Sequence, residues 1–348
     1  MTDDKNFEIN DSMNNLEYDL ERALNIINNS QKVIITTHMN PDGDAIGSTL
    51  GLYHYLEEIS KDPLVISIDP PPPNIAFLEG TEKIQIYKPE LHDNLIRQAD
   101  TIIIVDLNDA SRLRDMDKPI LESNATKIII DHHIDPKDFG DLYIIDTNAS
   151  SVGEILWRLF GQDENYIISK KAADALYVAI LTDSGSFRFP RTDAELHYII
   201  ADLINSGADP VALYDEVYNQ MPFRSFKLKS EGYSKMKLYF DGILCLMPLP
   251  WETFEKHNAI EDDIEGFVEE LLSIKGVRIG ILITEVPQRN EHRVSFRSKA
   301  NYSVREIASH FGGGGHEYAA GARIQNHTME EVINLILAQV ENLVNTQK

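Results

Sequence analysis

The sequence predicts an α/β protein: a parallel-sheet unit first, then a smaller α+β unit. Three observations predict it. Short β-branched runs, apolar throughout, alternate with helical patterns over residues 32–181, as in a parallel sheet covered on both faces. Beyond residue 240, strand-like runs at 277–284 and 293–296 follow one another with no helix between them, which marks an α+β arrangement. The length of 348 residues, 43% of them hydrophobic, supplies cores for two domains of ordinary size.

The elements follow in order. Residues 1–14 are polar and acidic and are expected to form a disordered tail. Leu16, Leu20, Leu24 and Ile27 recur at helical spacing. Strands are expected at 32–37, 64–68, 101–105, 127–130 and 142–145, with the proline run 70–73 as a stiff loop. Helices are expected at 152–160 and 170–181, closing a first domain over 15–193. Residues 194–240 read as a helical connector, broken at Asp209-Pro210 and Met221-Pro222. The second domain, 241–348, has expected strands at 243–247, 277–284 and 293–296, and helices at 264–274, 304–311 and 329–344.

Composition narrows the function. A net charge of −24 opposes long polyanions, which need an extended basic track. No long basic stretch and no aromatic stacking series is visible in the sequence. The segment 278–323 nevertheless carries Arg289, Arg293, Arg297, Lys299 and Arg305. Cys245 is the only cysteine, so no intramolecular disulfide and no thiolate zinc cluster can form. The first thirty residues lack a secretory apolar stretch, and no apolar run approaches the roughly 20 residues of a membrane helix. A cytoplasmic protein is expected, with no membrane partner.

The chemistry-bearing residues lie at expected strand ends, where open α/β sheets bind ligands. The first loop holds His38, Asp42 and Asp44, with Pro41 and Gly43 permitting a tight turn. Gly47 and Gly51, four apart, are expected to pack a helix closely on the sheet. Asp106 ends the 101–105 strand, and Asp131-His132-His133 ends the next. Asp183 closes the 170–181 helix, and Arg188 follows as a candidate to face substrate. Asp42, Asp44, Asp106 and Asp183 would bring about four negative charges together, which divalent cations would offset. Imidazole and carboxylate without sulfur suit two divalent ions, Mn²⁺ first, with Fe²⁺, Co²⁺ and Mg²⁺ as alternatives. Such a pair is a general device for cutting phosphate esters. In the second domain, Gly312–Gly315 lets backbone N–H groups approach a phosphate, with Arg297, Ser298 and His316 as further donors.

These motifs resemble the DHH phosphoesterase superfamily, named for the residues at 131–133. The run 311–321, Phe-Gly-Gly-Gly-Gly-His-Glu-Tyr-Ala-Ala-Gly, is similar to the signature of its DHH-associated C-terminal domain. The two-domain length most resembles the bacterial nanoRNase/pAp phosphatase family, over residues 30–345. The resemblance implies a Rossmann-like N-terminal DHH domain with the active site in a cleft between the domains. It implies that His38, Asp42 and Asp106 hold one metal, and that Asp44, Asp106, His132 and Asp183 hold a second. It makes His133 the contact to the scissile phosphate and Asp131 the group that fixes its neighbours. Gly313, Gly314, Gly315 and His316, with Arg297 and Ser298, would bind substrate. The implied activity is exonucleolytic cleavage of very short RNAs, pApA included, with phosphatase activity on pAp.

Linear or cyclic di-AMP is a further implied ligand, and a cyclic-di-AMP phosphodiesterase is the nearest rival reading. A manganese pyrophosphatase resembles the first domain only, and the glycine run with His316 argues against it. A non-catalytic nucleotide-binding protein would have lost a metal ligand, and none is missing. The resemblance is compatible with a homodimer.

Overall fold

The computed structural model describes residues 4–299 and 301–346, with side chains from Leu16 onward. Residues 1–3 of the expected tail lie outside the described residues, and from Asp4 the backbone is helical. The chain divides into two compact units, Met1–Gln220 and Met221–Lys348.

The first unit opens with helix α1 (Asp4–Asn29) and contains six strands: β1 (Lys32–Thr36), β2 (Asp62–Ser67), β3 (Gln85–Ile86), β4 (Thr101–Val105), β5 (Thr126–Asp131) and β6 (Leu142–Ile145). They form one parallel sheet in the order β3-β2-β1-β4-β5-β6. The order reverses between β1 and β4, as in Rossmann sheets. Alternate residues feed two cores. Val33, Ile35, Ile103, Val105, Ile128 and Ile130 join one cluster, while Ile34, Ile102, Ile104 and Ile129 join another on the opposite face. That double burial is why the strands read as uninterrupted apolar runs. The remaining helices are α2 (Gly43–Glu58), α3 (Pro89–Arg97), α4 (Asp117–Leu121), α5 (Val152–Gly161), α6 (Lys170–Asp183), α7 (Ala194–Asn205) and α8 (Pro210–Tyr218).

The division at Gln220 falls inside the span expected as a connector. Leu196, Ile199 and Leu203 of α7, and Leu213 and Val217 of α8, are buried in the first unit's core. Helix α9 (Phe223–Lys235) sends Leu228 into the second unit's core instead.

The second unit has a mixed sheet of β7 (Lys237–Tyr239), β8 (Leu244–Leu249), β9 (Ile279–Val286), β10 (Glu291–Ser298), β11 (Gly314–Gly315) and β12 (Ala319–Gln325). The order is β11-β12-β10-β9-β8-β7, with β8 and β9 parallel and the other pairs antiparallel. Helices α10 (Trp251–His257), α11 (Phe267–Leu271), α12 (Val304–His310) and α13 (Met329–Thr346) complete it. Helices α12 and α13 pack on one face, against Val294, Phe296, Ala320 and Ala322. On the other face, Phe254 and Phe267 cover Met247 and Leu282. On that face β10 and β12 carry Arg293, Ser295, Arg297 and Arg323. Among the described residues, no helix is long and apolar enough to cross a membrane.

Candidate metal centre

The carboxyl ends of β1, β4 and β5 meet where the strand order reverses, and their following residues are the candidate ligands. Beyond β1 come His38, Asp42 and Asp44. Asp106 follows β4, and Asp131 ends β5 ahead of His132 and His133. Asp183 ends α6 and reaches the same rim because α2 lies close on α6. A Cβ on Gly47 would sit 2.5 Å from the Ala175 carbonyl oxygen, and one on Gly43 would sit 2.4 Å from Thr182 Oγ1. The glycine spacing therefore serves helix–helix rather than helix–sheet packing.

Three clusters of ligand atoms lie within 4.8 Å of one another: His38 with Asp42 and Asp106, Asp44 with His132 and Asp183, and Asp106 with both His132 and His133. Asp106 joins them. Its Oδ2 lies 3.2 Å from His38 Nε2, while its Oδ1 lies 3.7 Å from His132 Nε2 and 3.5 Å from His133 Nδ1. His132 Nε2 is also 3.3 Å from Asp183 Oδ2 and 3.8 Å from Asp44 Oδ2. The Asp106 backbone has φ of 57°, a left-handed conformation uncommon for a residue with a side chain. Its amide still donates to the Ile130 carbonyl at 3.0 Å, tying the turn to the neighbouring strand.

Outer contacts orient the ligands. Asp44 accepts from Val152 N at 2.7 Å, Gly153 N at 3.1 Å and Ser48 Oγ at 2.9 Å, so the start of α5 holds its carboxylate. Asp42 caps α2, accepting from Ala45 N at 3.1 Å. His38 Nδ1 donates to the Met39 carbonyl at 2.8 Å, which leaves Nε2 a lone pair towards Asp106. His132 Nδ1 faces the Ala149 carbonyl at 3.2 Å in the same sense.

Charge is out of balance within this set. Burial, then repulsion from Asp106 and Asp183, raises Asp44 well above the usual carboxylate range. Burial and Asp42 raise Asp106 likewise, and they push Asp183 up to about 6. Burial also lowers His38 and His132, favouring neutral rings. Asp131 differs: burial would raise it, but the hydrogen bond from His133 Nδ1 at 2.7 Å prevails and holds it low. The same bond raises His133, whose ring is half-exposed. Asp106 Oδ1 and Asp131 Oδ2 are buried with no hydrogen-bond partner. Neutral imidazoles, crowded carboxylates and an unpartnered buried oxygen on the central aspartate fit divalent cations.

Arg188 is exposed, and its Nε donates to Gly185 O at 2.6 Å within its own turn. Sequence reasoning missed Arg191, which approaches more closely. Its Nη1 donates to the Ala149 carbonyl at 3.2 Å and lies 3.1 Å from His132 Nδ1. It also missed Arg112, whose charge acts on both His38 and His133. Neither arginine lies in a recognisable motif; only the fold brings them to the rim.

In the second unit, a cavity of about 420 Å³ is lined by Arg293, Ser295, Gly312–Gly314, Gly321 and Arg323, among others. The glycine run borders it as a strand edge. A Cβ on Gly313 would lie 2.1 Å from Gly321 O, and one on Gly315 would lie 2.5 Å from Ala319 O. Gly314 is exposed with open space beside it, and His316 is exposed. Arg297 shares the polar face, where its Nε donates to Glu269 at 2.8 Å. Ser298 points the other way and donates to Tyr302 O at 2.5 Å.

Comparison with known proteins follows the same division. The DHH family N-terminal domain matches residues 32–180, and the DHHA1 domain matches residues 245–346. The chain is 29% identical to the bifunctional oligoribonuclease and PAP phosphatase NrnA of Bacillus subtilis, over 89% of this chain and 94% of that protein. It is also 29% identical to the protein of that name from Thermus thermophilus, over 88% of this chain and 89% of the relative. A crystal structure of an exopolyphosphatase-related protein from Bacteroides fragilis superposes with a TM-score of 0.88 at 32% identity, covering 95% of this chain and 97% of that one.

Proposed function

We infer the function from one premise: this chain belongs to the DHH family, a DHH N-terminal domain followed by a DHHA1 domain. It is a metal-dependent hydrolase of phosphate esters. It degrades very short oligoribonucleotides, pApA included, to 5′-monophosphates, and it releases phosphate from pAp. The observation that carries this reading is Asp106, whose two oxygens face two separate clusters of imidazole and carboxylate.

His38, Asp42 and Asp106 would hold one cation, and Asp44, Asp106, His132 and Asp183 a second. Mn²⁺ is the metal we favour, given a donor set of nitrogen and oxygen without sulfur. When bound, such ions supply Lewis acidity at phosphorus and a water acidic enough to attack it. The protein's own groups do the rest. Asp131 keeps His133 protonated at Nδ1 and fixes its ring, so Nε2 is free to donate to a phosphoryl oxygen as charge develops. The start of α5 holds Asp44 in place through two backbone amides. Arg191 and Arg112 add positive charge beside the histidines.

The DHHA1 domain supplies the nucleotide grip, with Gly313–Gly315 as a close-approach wall and the side chains of His316, Arg293, Arg297 and Arg323 as donors; the Gly313 amide is itself taken by the Ala308 carbonyl at 2.9 Å. The nucleotide bound carries a 5′-phosphate, and the phosphate cleaved is the one on its 3′ oxygen. Water adds to phosphorus, the bond to O3′ breaks, and O3′ takes a proton. In pAp the products are AMP and phosphate; in pApA they are two AMP. The lone buried Cys245 suits a reducing cytoplasm.

The test is turnover with Mn²⁺ of pAp, pApA, a pentanucleotide, cyclic di-AMP, pyrophosphate and tripolyphosphate, side by side. The reading expects pAp and pApA to be cut fastest, and Asp106→Ala to abolish both activities. Preference for cyclic di-AMP would install the rival phosphodiesterase reading. Preference for pyrophosphate or tripolyphosphate would replace nucleotides by inorganic substrates.

A further inference from the structure

Past Asp183 the chain turns through Gly185, Ser186 and Phe187, all at positive φ. It then presents Arg188 and Phe189 to solvent. The Phe189 ring closes over Gly185, where a Cβ would lie 2.5 Å from its Cζ. Helix α8 packs on α6 and sets Tyr218 against the same turn, its Oη 3.5 Å from the Leu181 carbonyl. Burial raises the Tyr218 phenol, and the nearby charge of Arg188 opposes the rise. Tyr214, one helical turn earlier, stands beside it with ring centroids 4.8 Å apart. Phe189, Tyr214 and Tyr218 stay 53, 43 and 40 % exposed, so part of each ring is open to a ligand. No acidic residue occurs from Ser184 to Thr192, while Arg188 and Arg191 do, in a chain of net charge −24.

We propose that Phe189, Tyr214 and Tyr218, with Arg188, form a stacking subsite for unpaired bases on the 3′ side of the scissile phosphate. The proposal rests on the oligoribonuclease reading above and adds a length preference to it. Aromatic faces beside a guanidinium suit single-stranded nucleic acid, because every base offers a π-face and every linkage a negative charge. The Tyr218 hydroxyl lies 3.5 Å from the carbonyl of Leu181, two residues before Asp183, which sets this pair of tyrosines near the metal ligands. Substrates lacking bases beyond the cut, such as pAp, make no use of it.

The test uses the Mn²⁺-loaded protein and the variant Tyr214→Ala, at a surface position outside the metal and phosphate contacts. KM for a pentanucleotide should rise about tenfold, while KM for pAp stays within about twofold. Tyr214→Phe should behave as wild type. Binding of a pentanucleotide carrying 2-aminopurine at its third position should quench fluorescence, and Tyr214→Ala should relieve the quenching. An equal change on both substrates, or none on the pentanucleotide, overturns the subsite. So does a change of oligomeric state on gel filtration, which assigns the face to a second copy of the chain. The fluorescence arm needs no turnover: if quenching depends on Tyr214 while neither pAp nor RNA is hydrolysed, the proposed activity fails and the subsite stands.

Discussion

Removing the metal should make Asp183 a liability that Asp183→Asn relieves. In the metal-free site, burial and the neighbouring Asp42 raise the Asp183 carboxyl from 3.8 to about 6. The folded state therefore binds that proton more tightly than the unfolded chain does. The sign follows from linkage. Below pH 3.8 the group is protonated in both states and exerts no penalty. As pH rises towards about 6, the unfolded chain loses the proton first and gains relative stability. At neutral pH the full effect would be about 3 kcal/mol. The side chain is 35 % exposed, and solvent screening reduces this to about 1–2 kcal/mol. In EDTA at pH 7.5, urea denaturation should find Asp183→Asn more stable than wild type by that amount. The difference should nearly vanish at about pH 4. Added Mn²⁺ should reverse the order, because the variant has lost a ligand. A variant no more stable than wild type in EDTA at pH 7.5 would refute the claim that these acids repel one another in the folded protein.

Other outcomes follow from the same geometry. Gly47→Ala should lower thermal stability by about 1–3 kcal/mol and weaken Mn²⁺ binding, because a methyl there meets the α6 backbone rather than a movable side chain; unchanged melting would refute the close helix contact. Asp131→Asn should lower the His133 pKa, since the hydrogen bond to Asp131 is what raises it, so NMR titration of the metal-free protein should show the ring deprotonating at lower pH. Arg293→Ala should raise KM for pApA about tenfold with bound Mn²⁺ unchanged; loss of metal instead would remove the groove from substrate binding.

The parallel strands were legible because both faces are buried. β4 and β6 were expected at their observed bounds, and β1 differs by one residue. β3, with two exposed residues, and β12, reading Ala-Ala-Gly-Ala-Arg-Ile-Gln, offer no such apolar run and went unseen. The candidate ligands were legible because imidazole and carboxylate crowd into short loops at strand ends. Arg112, Arg191 and the Tyr214–Tyr218 pair were not, since their place depends on how loops and α8 fold back onto the rim. The groove along β10 and β12 was likewise invisible, because it follows from how far α10 and α11 extend over the sheet.

Anomalous diffraction from crystals soaked in Mn²⁺ tests the central claim most directly. Two peaks per chain are predicted, one beside His38 and Asp42 and one beside Asp44, His132 and Asp183, with Asp106 touching both. A single peak, or none within reach of Asp106, would contradict it.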